Sequence, residues 1–286
     1  MSEVVSSTAP DAAERILLVG VGDTHGDFEP LFRAAAHEPQ MRALLQVGDL
    51  TAGKRGRDAR PDDDPARLNR LPRPLVWVHG NHEHWDVLGY DLETGSRPGE
   101  ARAAGDARAA GDARTAIPGI HLWPGDEYVV PGTSVRVVGL PGNYAPTWYD
   151  RPRPFPGDRV RHFNVEDVAA LERFERPAVL LMHEAFRGQA SGRLGAMGVP
   201  VLAGLVRRLA PAVCLTGHHH VFGVAGQGPT LALALPRAPV GYVRLWFSPA
   251  GERLGWEYVT FEDEHGSDRA SGGPPDGVPG AAAAPP

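Results

Sequence analysis

Five apolar runs divide the chain, and each is typical of a buried β-strand followed at its carboxyl end by polar or ionisable residues. The runs occupy residues 16–21, 44–47, 75–79, 178–182 and 212–216. In open α/β sheets the carboxyl ends of the strands are where ligands bind. The pattern therefore predicts a single site built from residues that are far apart along the chain.

Helical spacing of apolar residues appears between several of these strands. Phe28, Leu31, Phe32 and Ala35 share one face of a predicted helix over residues 28–38. Strand and helix alternate at the start of the chain, which predicts an α/β protein with a largely parallel sheet. Further helices are predicted at residues 65–71, 165–173 and 199–210, and further strands at residues 120–123, 127–130, 134–140, 230–235, 242–247 and 255–259.

The domain organisation follows from where this periodicity stops. Residues 1–13 and 263–286 lack it and are predicted to be a flexible N-terminus and a disordered tail. The stretch between them, 14–262, is predicted to form one domain. Residues 95–115 contain the hexad Ala-Arg-Ala-Ala-Gly-Asp twice, which predicts a low-complexity insertion rather than a repeat architecture.

Composition narrows the functional classes. The formal net charge of -6 argues against general coating of nucleic acid. The one cysteine, Cys214, falls inside a predicted strand and is expected to be a small buried hydrophobe, so a disulfide framework is excluded. The N-terminus lacks a signal-peptide pattern, and no run reaches the roughly 18 apolar residues of a membrane span. A cytoplasmic protein is expected, with no membrane contact and no obligate protein partner.

Metal-competent side chains follow all five strands. Asp23 and His25 follow the first and, in an extended loop, would face the same way. One such pair is weak evidence, because an Asp-x-His triplet also occurs in capped turns before helices. The recurrence is what favours a metal site, and the later strands end in Asp49, in Asn81-His82-Glu83, in His183 and in His218-His219-His220.

In order and spacing, these motifs resemble those of the calcineurin-like metallophosphoesterases, from Asp23 to His220. The resemblance implies a four-layer α/β/β/α sandwich with two metal ions at the carboxyl ends of the strands. One ion would be held by Asp23, His25 and His220. The other would be held by Asn81, His183 and His218, with Asp49 bridging the two. His219 is expected to point away, and the other histidines are expected to be ordinary surface or core residues, namely His37, His79, His84, His121, His162 and His265.

The resemblance also implies a mechanism, in which metal-bound hydroxide attacks a phosphate mono- or diester in line. His82 would not bind metal but would face the substrate and donate a proton to the leaving oxygen. Mixed nitrogen and oxygen ligands favour manganese, iron, zinc or nickel over calcium or magnesium without choosing among them. Of these, manganese is the expected metal for the two ions, with iron, zinc or nickel as alternatives. Many relatives carry an aspartate that orients this histidine, where the present chain has Ala52.

Residues 141–162 interleave aromatic side chains with arginines, which suits stacking on bases and contact with phosphates. A proline-stiffened surface loop is the alternative. A narrower similarity to the RNA lariat debranching branch lies in four stretches, 48–52, 80–83, 135–149 and 162–165. That branch typically has cysteine where Asp23 stands. Phosphodiester or nucleotide-type substrates, including RNA, are therefore favoured over other phosphorylated small molecules.

Two other readings stay open at this point. The first is a non-catalytic regulatory module that binds metal and a phosphorylated ligand. The second is a mononuclear zinc hydrolase that uses only the cluster at His218 to His220, which leaves Asp49 and Asn81 without a role.

Overall fold

The computed structural model describes residues 15–51, 64–85, 87–90, 92–93, 117–189, 191–192 and 195–261. The predicted flexible N-terminus, the insertion at 95–115, the tail from 263 and Ala52 lie outside these residues. The predictions about them therefore stay predictions.

The first sheet has six strands. They are β1 (Ile16–Val21), β2 (Ala43–Gln46), β3 (Leu75–Trp77), β4 (Ile120–His121), β13 (Gly241–Phe247) and β14 (Arg253–Thr260). Their order across the sheet is β14-β13-β1-β2-β3-β4. Strands β1 to β4 run parallel to one another, while β13 and β14 are antiparallel additions at one side.

The second sheet also has six strands. They are β5 (Glu127–Val129), β6 (Arg136–Leu140), β7 (Val179–Met182), β10 (Val213–Thr216), β11 (Gly223–Gln227) and β12 (Thr230–Ala234). Their order is β11-β12-β10-β7-β6-β5, in which the centre is parallel and the two edge strands β11 and β5 are antiparallel. The short strands β8 (Ser191–Gly192) and β9 (Gly195–Ala196) pair separately.

Helices cover the outer faces of the two sheets. They are α1 (Glu29–His37), α2 (Pro146–Tyr149), α3 (Val165–Leu171) and α4 (Pro200–Leu209), with 3-10 helices at Pro65–Arg70, Gly157–Arg161 and Ala238–Val240. Helix α3 begins with a reciprocal capping box between Asn164 and Asp167. None of the helices in the described ranges combines the length and the apolar character that a membrane span requires.

Three apolar clusters show how the layers stack. Along β1, Leu17 and Val19 alternate with Leu18, so the first two face α1 while Leu18 faces the other sheet. Along β7, Leu181 faces the inter-sheet core, whereas Leu180 faces α3 and α4. Two mixed sheets thus pack against each other with helices outside both. The predicted α/β/β/α sandwich is confirmed.

The differences from the predicted elements lie mainly at edges and in loops. Strand β11 was not predicted, because its residues Gly-Val-Ala-Gly-Gln lack an apolar alternation and it forms only by pairing with β12. Helix α2 was not predicted within the proline-rich segment. The helix expected at 65–71 is a 3-10 helix over Pro65–Arg70.

Candidate metal centre

Four of the predicted ligands form a tight group at the carboxyl ends of the strands. Ligand atoms of Asp23, His25, Asp49 and His220 all lie within 4.8 Å of one another. The Nε2 atoms of His25 and His220 are 3.0 Å apart, and His220 Nε2 lies 2.9 Å from Asp23 Oδ2. Converging imidazole and carboxylate ligand atoms suit a transition-metal ion, so the residues present fit such a cation.

The remaining predicted ligands lie on the other side of Asp49. His183 Nε2 is 2.9 Å from Asn81 Oδ1 and 3.5 Å from Asp49 Oδ1. The other ring nitrogen of His183, Nδ1, is 2.9 Å from the carbonyl oxygen of Val47, which orients the ring towards the group. The ring centroid of His218 is 5.0 Å from that of His183.

Asp49 lies between these two groups with one carboxylate oxygen towards each. Its Oδ2 is 3.8 Å from His25 Nε2, while its Oδ1 faces His183. The side chain is almost fully buried. The structure therefore brings all seven predicted ligands into one cluster centred on Asp49, and their role as ligands stays a prediction.

The loops reach this geometry through left-handed backbone rather than the extended loops expected from the sequence. His25, Asp49, His218 and His220 have φ of 48°, 51°, 67° and 56°. Non-glycine residues seldom adopt this region, at a cost of about 1–3 kcal/mol each, and such strain clusters at functional sites. The expectation that Asp23 and His25 converge by simple alternation was wrong in its geometry, because the chain turns at His25.

Glycine is required where two ligand loops pass close to the carboxylates. A Cβ on Gly80 would lie 2.1 Å from Asp49 Oδ1, and a Cβ on Gly217 would lie 2.1 Å from Asp23 Oδ1. Any larger residue would displace a predicted ligand.

Glu83 is a buried carboxylate for which the sequence suggested no role. It accepts hydrogen bonds from the backbone N–H groups of Leu50, Thr51 and Gly80, at 3.0, 2.8 and 3.0 Å, and from Thr51 Oγ1 at 2.6 Å. Burial, with the nearby charge of Asp49, raises the pKa of Glu83 to about 7. Glu83 thus fastens the loop of Asp49 to the loop of Asn81. The available sequence signal for such a role was that Glu83 directly follows the predicted site residues Asn81 and His82.

Burial and neighbouring charges shift the pKa of four predicted ligands; at His183 burial opposes ionisation, but the charge of Asp49 outweighs it and raises the pKa. Burial opposes ionisation of Asp49, but His183 and the backbone N–H of His82 outweigh it and lower the pKa of the carboxyl. Burial and the neighbouring His183 lower the pKa of His218 to about 4, and burial also lowers the pKa of His25. Asp49 is therefore anionic at neutral pH, whereas His25 and His218 are neutral with a lone pair free for a cation.

His82 is placed differently from the predicted ligands. Its backbone N–H donates to Asp49 Oδ1 at 2.7 Å, and its exposed ring lies 5.8 Å from the ring of His25, centroid to centroid. Within the part of the chain that the structure describes, no carboxylate hydrogen-bonds to the His82 ring. The position suits a group that meets substrate from the solvent side of the cluster.

Arg237 is a cation near the cluster that the sequence analysis did not single out. It lies in the loop after β12, where the next residue, Ala238, donates its backbone N–H to the carbonyl oxygen of Asp23 at 2.9 Å. Its charge contributes to lowering the pKa of His25. It belongs to none of the motifs that carry the family resemblance, which end at His220, so no signal in the sequence pointed to it.

The segment at 141–162 begins beside the metal centre and is more ordered than either reading of the sequence implied. Gly142 N donates to the carbonyl oxygen of His79 at 2.8 Å, two residues before Asn81. Further along, Arg153 Nη2 binds Asp167 Oδ2 at 2.6 Å and the carbonyl oxygen of His162 at 2.8 Å. The bond to Asp167 attaches the segment to α3, and the bond to His162 closes the segment on itself.

Trp148 is the centre of an arginine cluster in this segment. The guanidinium carbons of Arg151 and Arg159 lie 4.8 and 5.4 Å from the centroid of its ring. Phe155 packs against the same ring at 5.2 Å. Both arginines are exposed, so Trp148 holds two cations at the surface.

Comparison with known proteins gives one family match. A sequence model of the family described as calcineurin-like phosphoesterase matches residues 16–222. A search of the curated proteins found no match.

Many solved structures are similar in fold. The protein TT1561 of Thermus thermophilus is 15% identical, with a TM-score of 0.52, and the alignment covers 86% of this chain and 98% of that one. The phosphopantetheinyl hydrolase PptH of Mycobacterium tuberculosis is 16% identical, with a TM-score of 0.45 and coverage of 79% and 91%. At such identities the first similarity concerns the fold alone, and the second supports no further argument.

Proposed function

The chain belongs to the calcineurin-like phosphoesterase family, whose members are metal-dependent hydrolases of phosphate esters, and from that premise we propose that it is a dinuclear phosphodiesterase. The family assignment confirms the prediction of a hydrolase over a non-catalytic binding module. The number of ions and the diester preference belong to the proposal.

The position of Asp49 is the observation that best supports a dinuclear centre. One oxygen of its carboxylate faces His25, and the other faces His183. A carboxylate shared between two sets of nitrogen ligands is the arrangement that bridges a pair of cations. The mixed oxygen and nitrogen ligands suit a transition metal, and we propose manganese, with iron, zinc or nickel as alternatives.

Two divalent ions at such a site would acidify a bound water and polarise the phosphate, which is the chemistry that metal pairs supply to phosphoesterases. The protein groups do the remaining work. Asp23 and Asp49 offset only part of the cationic charge, so the cluster attracts an anionic ester. As water adds to phosphorus and the bond to the leaving oxygen breaks, His82 donates a proton to that oxygen.

The test is turnover with a defined metal. Purified protein supplied with Mn²⁺ is expected to hydrolyse bis(p-nitrophenyl) phosphate faster than p-nitrophenyl phosphate, and EDTA should abolish both reactions until Mn²⁺ is restored. Release of p-nitrophenol measures each rate. Absence of turnover with Mn²⁺, Fe²⁺, Zn²⁺ and Ni²⁺, when metal analysis shows bound ions, would overturn the proposal. A faster monoester reaction would overturn the diester preference alone.

We propose further that residues 141–162 contact a nucleotide-type or RNA-type substrate through the arginines on Trp148. The support is that the segment starts beside Asn81, is attached to α3, and presents Arg151 and Arg159 at its surface. A second phosphate or a ribose phosphate next to the scissile group would meet these cations.

Replacing both Arg151 and Arg159 by glutamine should therefore raise KM for a dinucleotide diester about tenfold while kcat stays within a factor of two, because binding that is equal in ground and transition states changes KM alone. The control is Arg253→Gln, which removes an exposed arginine at the start of β14. Steady-state kinetics with a dinucleotide and with bis(p-nitrophenyl) phosphate would separate the effects. An equal change for both substrates would contradict a nucleotide-specific contact.

A further inference from the structure

Glu184 is a buried carboxylate at the metal centre to which neither the sequence nor the proposed mechanism assigns a role. It follows the predicted ligand His183 at the end of β7 and is 5% exposed. Burying a carboxylate is costly unless it is paired with hydrogen-bond donors or cations. The contacts of Glu184 therefore indicate which groups its carboxylate holds in place.

Those contacts are with two consecutive histidines and with two backbone N–H groups. Oε1 lies 3.3 Å from His219 Nε2, and Oε2 lies 3.9 Å from His218 Nε2. The backbone N–H groups of Ala185 and Tyr144 donate to the carboxylate, at 3.1 and 3.4 Å. Glu184 thus joins the loop of His218 to the start of the segment at 141–162.

His218 is held by two anchors. Its backbone N–H donates to the Asp23 carboxylate, 3.0 Å away, which places the residue at the cluster. This backbone bond does not fix the orientation of the imidazole ring. In the structure, Nε2 is the ring nitrogen that faces Glu184. The nitrogen left for a metal is therefore Nδ1. A histidine that ligates a metal usually donates its other N–H to a carboxylate or carbonyl, and this fixes both tautomer and orientation.

We propose that Glu184 is a positioning residue for the second ion: its carboxylate faces Nε2 of His218 at 3.9 Å and Nε2 of His219 at 3.3 Å, its negative charge keeps the proton of the His218 ring on Nε2, and His218 Nδ1 is thereby presented to the metal. The proposal rests on the dinuclear function proposed above. It also accounts for the position of His219, which was expected from the sequence to point away from the metals. The His219 ring lies against Glu184 and is not part of the group of four converging ligand residues.

The first experiment measures metal affinity rather than activity. Metal-free full-length protein is titrated calorimetrically with Zn²⁺ as wild type, Glu184→Gln and Glu127→Gln. Glu127 is an exposed carboxylate on β5, so its variant controls for the lost charge. Glu184→Gln should weaken one of the two binding steps by about 10–100-fold, the usual effect of removing a group that orients a ligand, and leave the other step unchanged. Glu127→Gln should match wild type, and Glu184→Asp should recover part of the affinity.

Two Zn²⁺ steps of wild-type strength in Glu184→Gln would overturn the proposal. If wild type binds only one Zn²⁺, the proposed dinuclear function is wrong. The role of Glu184 is then supported if Glu184→Gln weakens that single binding step, and contradicted if it does not. Circular dichroism melting of the metal-free variants checks the fold.

A second measurement uses wild-type protein only, so it tests the proposal even if Glu184→Gln does not fold. In Zn²⁺-loaded wild type with ¹⁵N-labelled histidine, two-bond nitrogen–proton correlations report which nitrogen of each ring carries the proton. The expected result for His218 is a protonated Nε2 and a metal-bound Nδ1. A metal-bound Nε2 would overturn the proposal, because the nitrogen that faces Glu184 would then carry no proton.

Discussion

Asp49→Asn is expected to lower kcat/KM by roughly 10³-fold or more and to leave the protein unable to keep two ions, since metal ions supply several kcal/mol of transition-state stabilisation and each 1.4 kcal/mol is a factor of about ten. Asparagine preserves the volume and one oxygen, so the hydrogen bond from His82 N to Oδ1, 2.7 Å long in the structure, can persist. What is lost is the charge between the two groups of nitrogen ligands.

The variant is assayed with bis(p-nitrophenyl) phosphate in excess Mn²⁺, and its metal content is measured after gel filtration. Glu127→Gln again controls for a single lost charge, on an exposed edge strand. Asp49→Asn with wild-type turnover and two bound ions would contradict the bridging role. An unfolded Asp49→Asn is recognised by its melting curve, and Asp49→Glu then tests whether a retained charge that is displaced by one methylene group still holds two ions.

His82→Ala is expected to keep both ions and to lose about 10²–10⁴-fold in kcat on a diester with an alkoxide leaving group, the usual contribution of a general acid. The ring is exposed at the edge of the cluster, outside the group of four converging ligand residues, so truncation leaves that group intact. The loss should be much smaller with bis(p-nitrophenyl) phosphate, because p-nitrophenolate leaves without protonation.

The matched control is His84→Ala, in the same loop, whose backbone N–H donates to Thr51 Oγ1 at 2.8 Å and whose ring has no assigned role. Kinetics on a dinucleotide and on bis(p-nitrophenyl) phosphate, with metal analysis of each variant, give the comparison. Equal losses on the two substrates, or loss of metal from His82→Ala, would contradict proton donation by His82.

Much of the fold could be predicted from periodicity because burial imposes it. Strand β1 lies between two apolar clusters, so its successive side chains face opposite clusters: Leu17 and Val19 face one, and Leu18 faces the other. Apolar runs also marked where β7 and β10 end, and hence where His183 and His218 lie. Convergence of the site followed from the rule that parallel strands bring their carboxyl ends together.

The details that periodicity missed depend on long-range contacts. Strand β11 exists because β12 lies beside it, and the antiparallel strands β13 and β14 make the first sheet mixed rather than largely parallel. The left-handed turns at Asp49 and His25 are held by His25 N, which donates to the carbonyl oxygen of Asp49 at 2.8 Å. Aspartate and histidine adopt this conformation more often than other non-glycine residues, but that weak preference does not locate such a turn in a single sequence.

The supporting carboxylates were missed for a related reason. Glu83 and Glu184 sit next to predicted site residues in the sequence, yet their partners come from other loops, Thr51 for the first and His219 for the second. Their place beside predicted site residues was a signal, but a single sequence does not show the contacts that separate them from surface glutamates. The predicted ligand residues could be singled out because their types and order match a family pattern.

The most direct test of this account is the anomalous scattering of a crystal of the Mn²⁺-loaded protein, collected at the manganese edge. The predicted result is two peaks about 3.5–4 Å apart, with the Asp49 carboxylate between them and His82 outside both coordination shells. A single peak, or two peaks that do not share Asp49, would contradict the dinuclear centre.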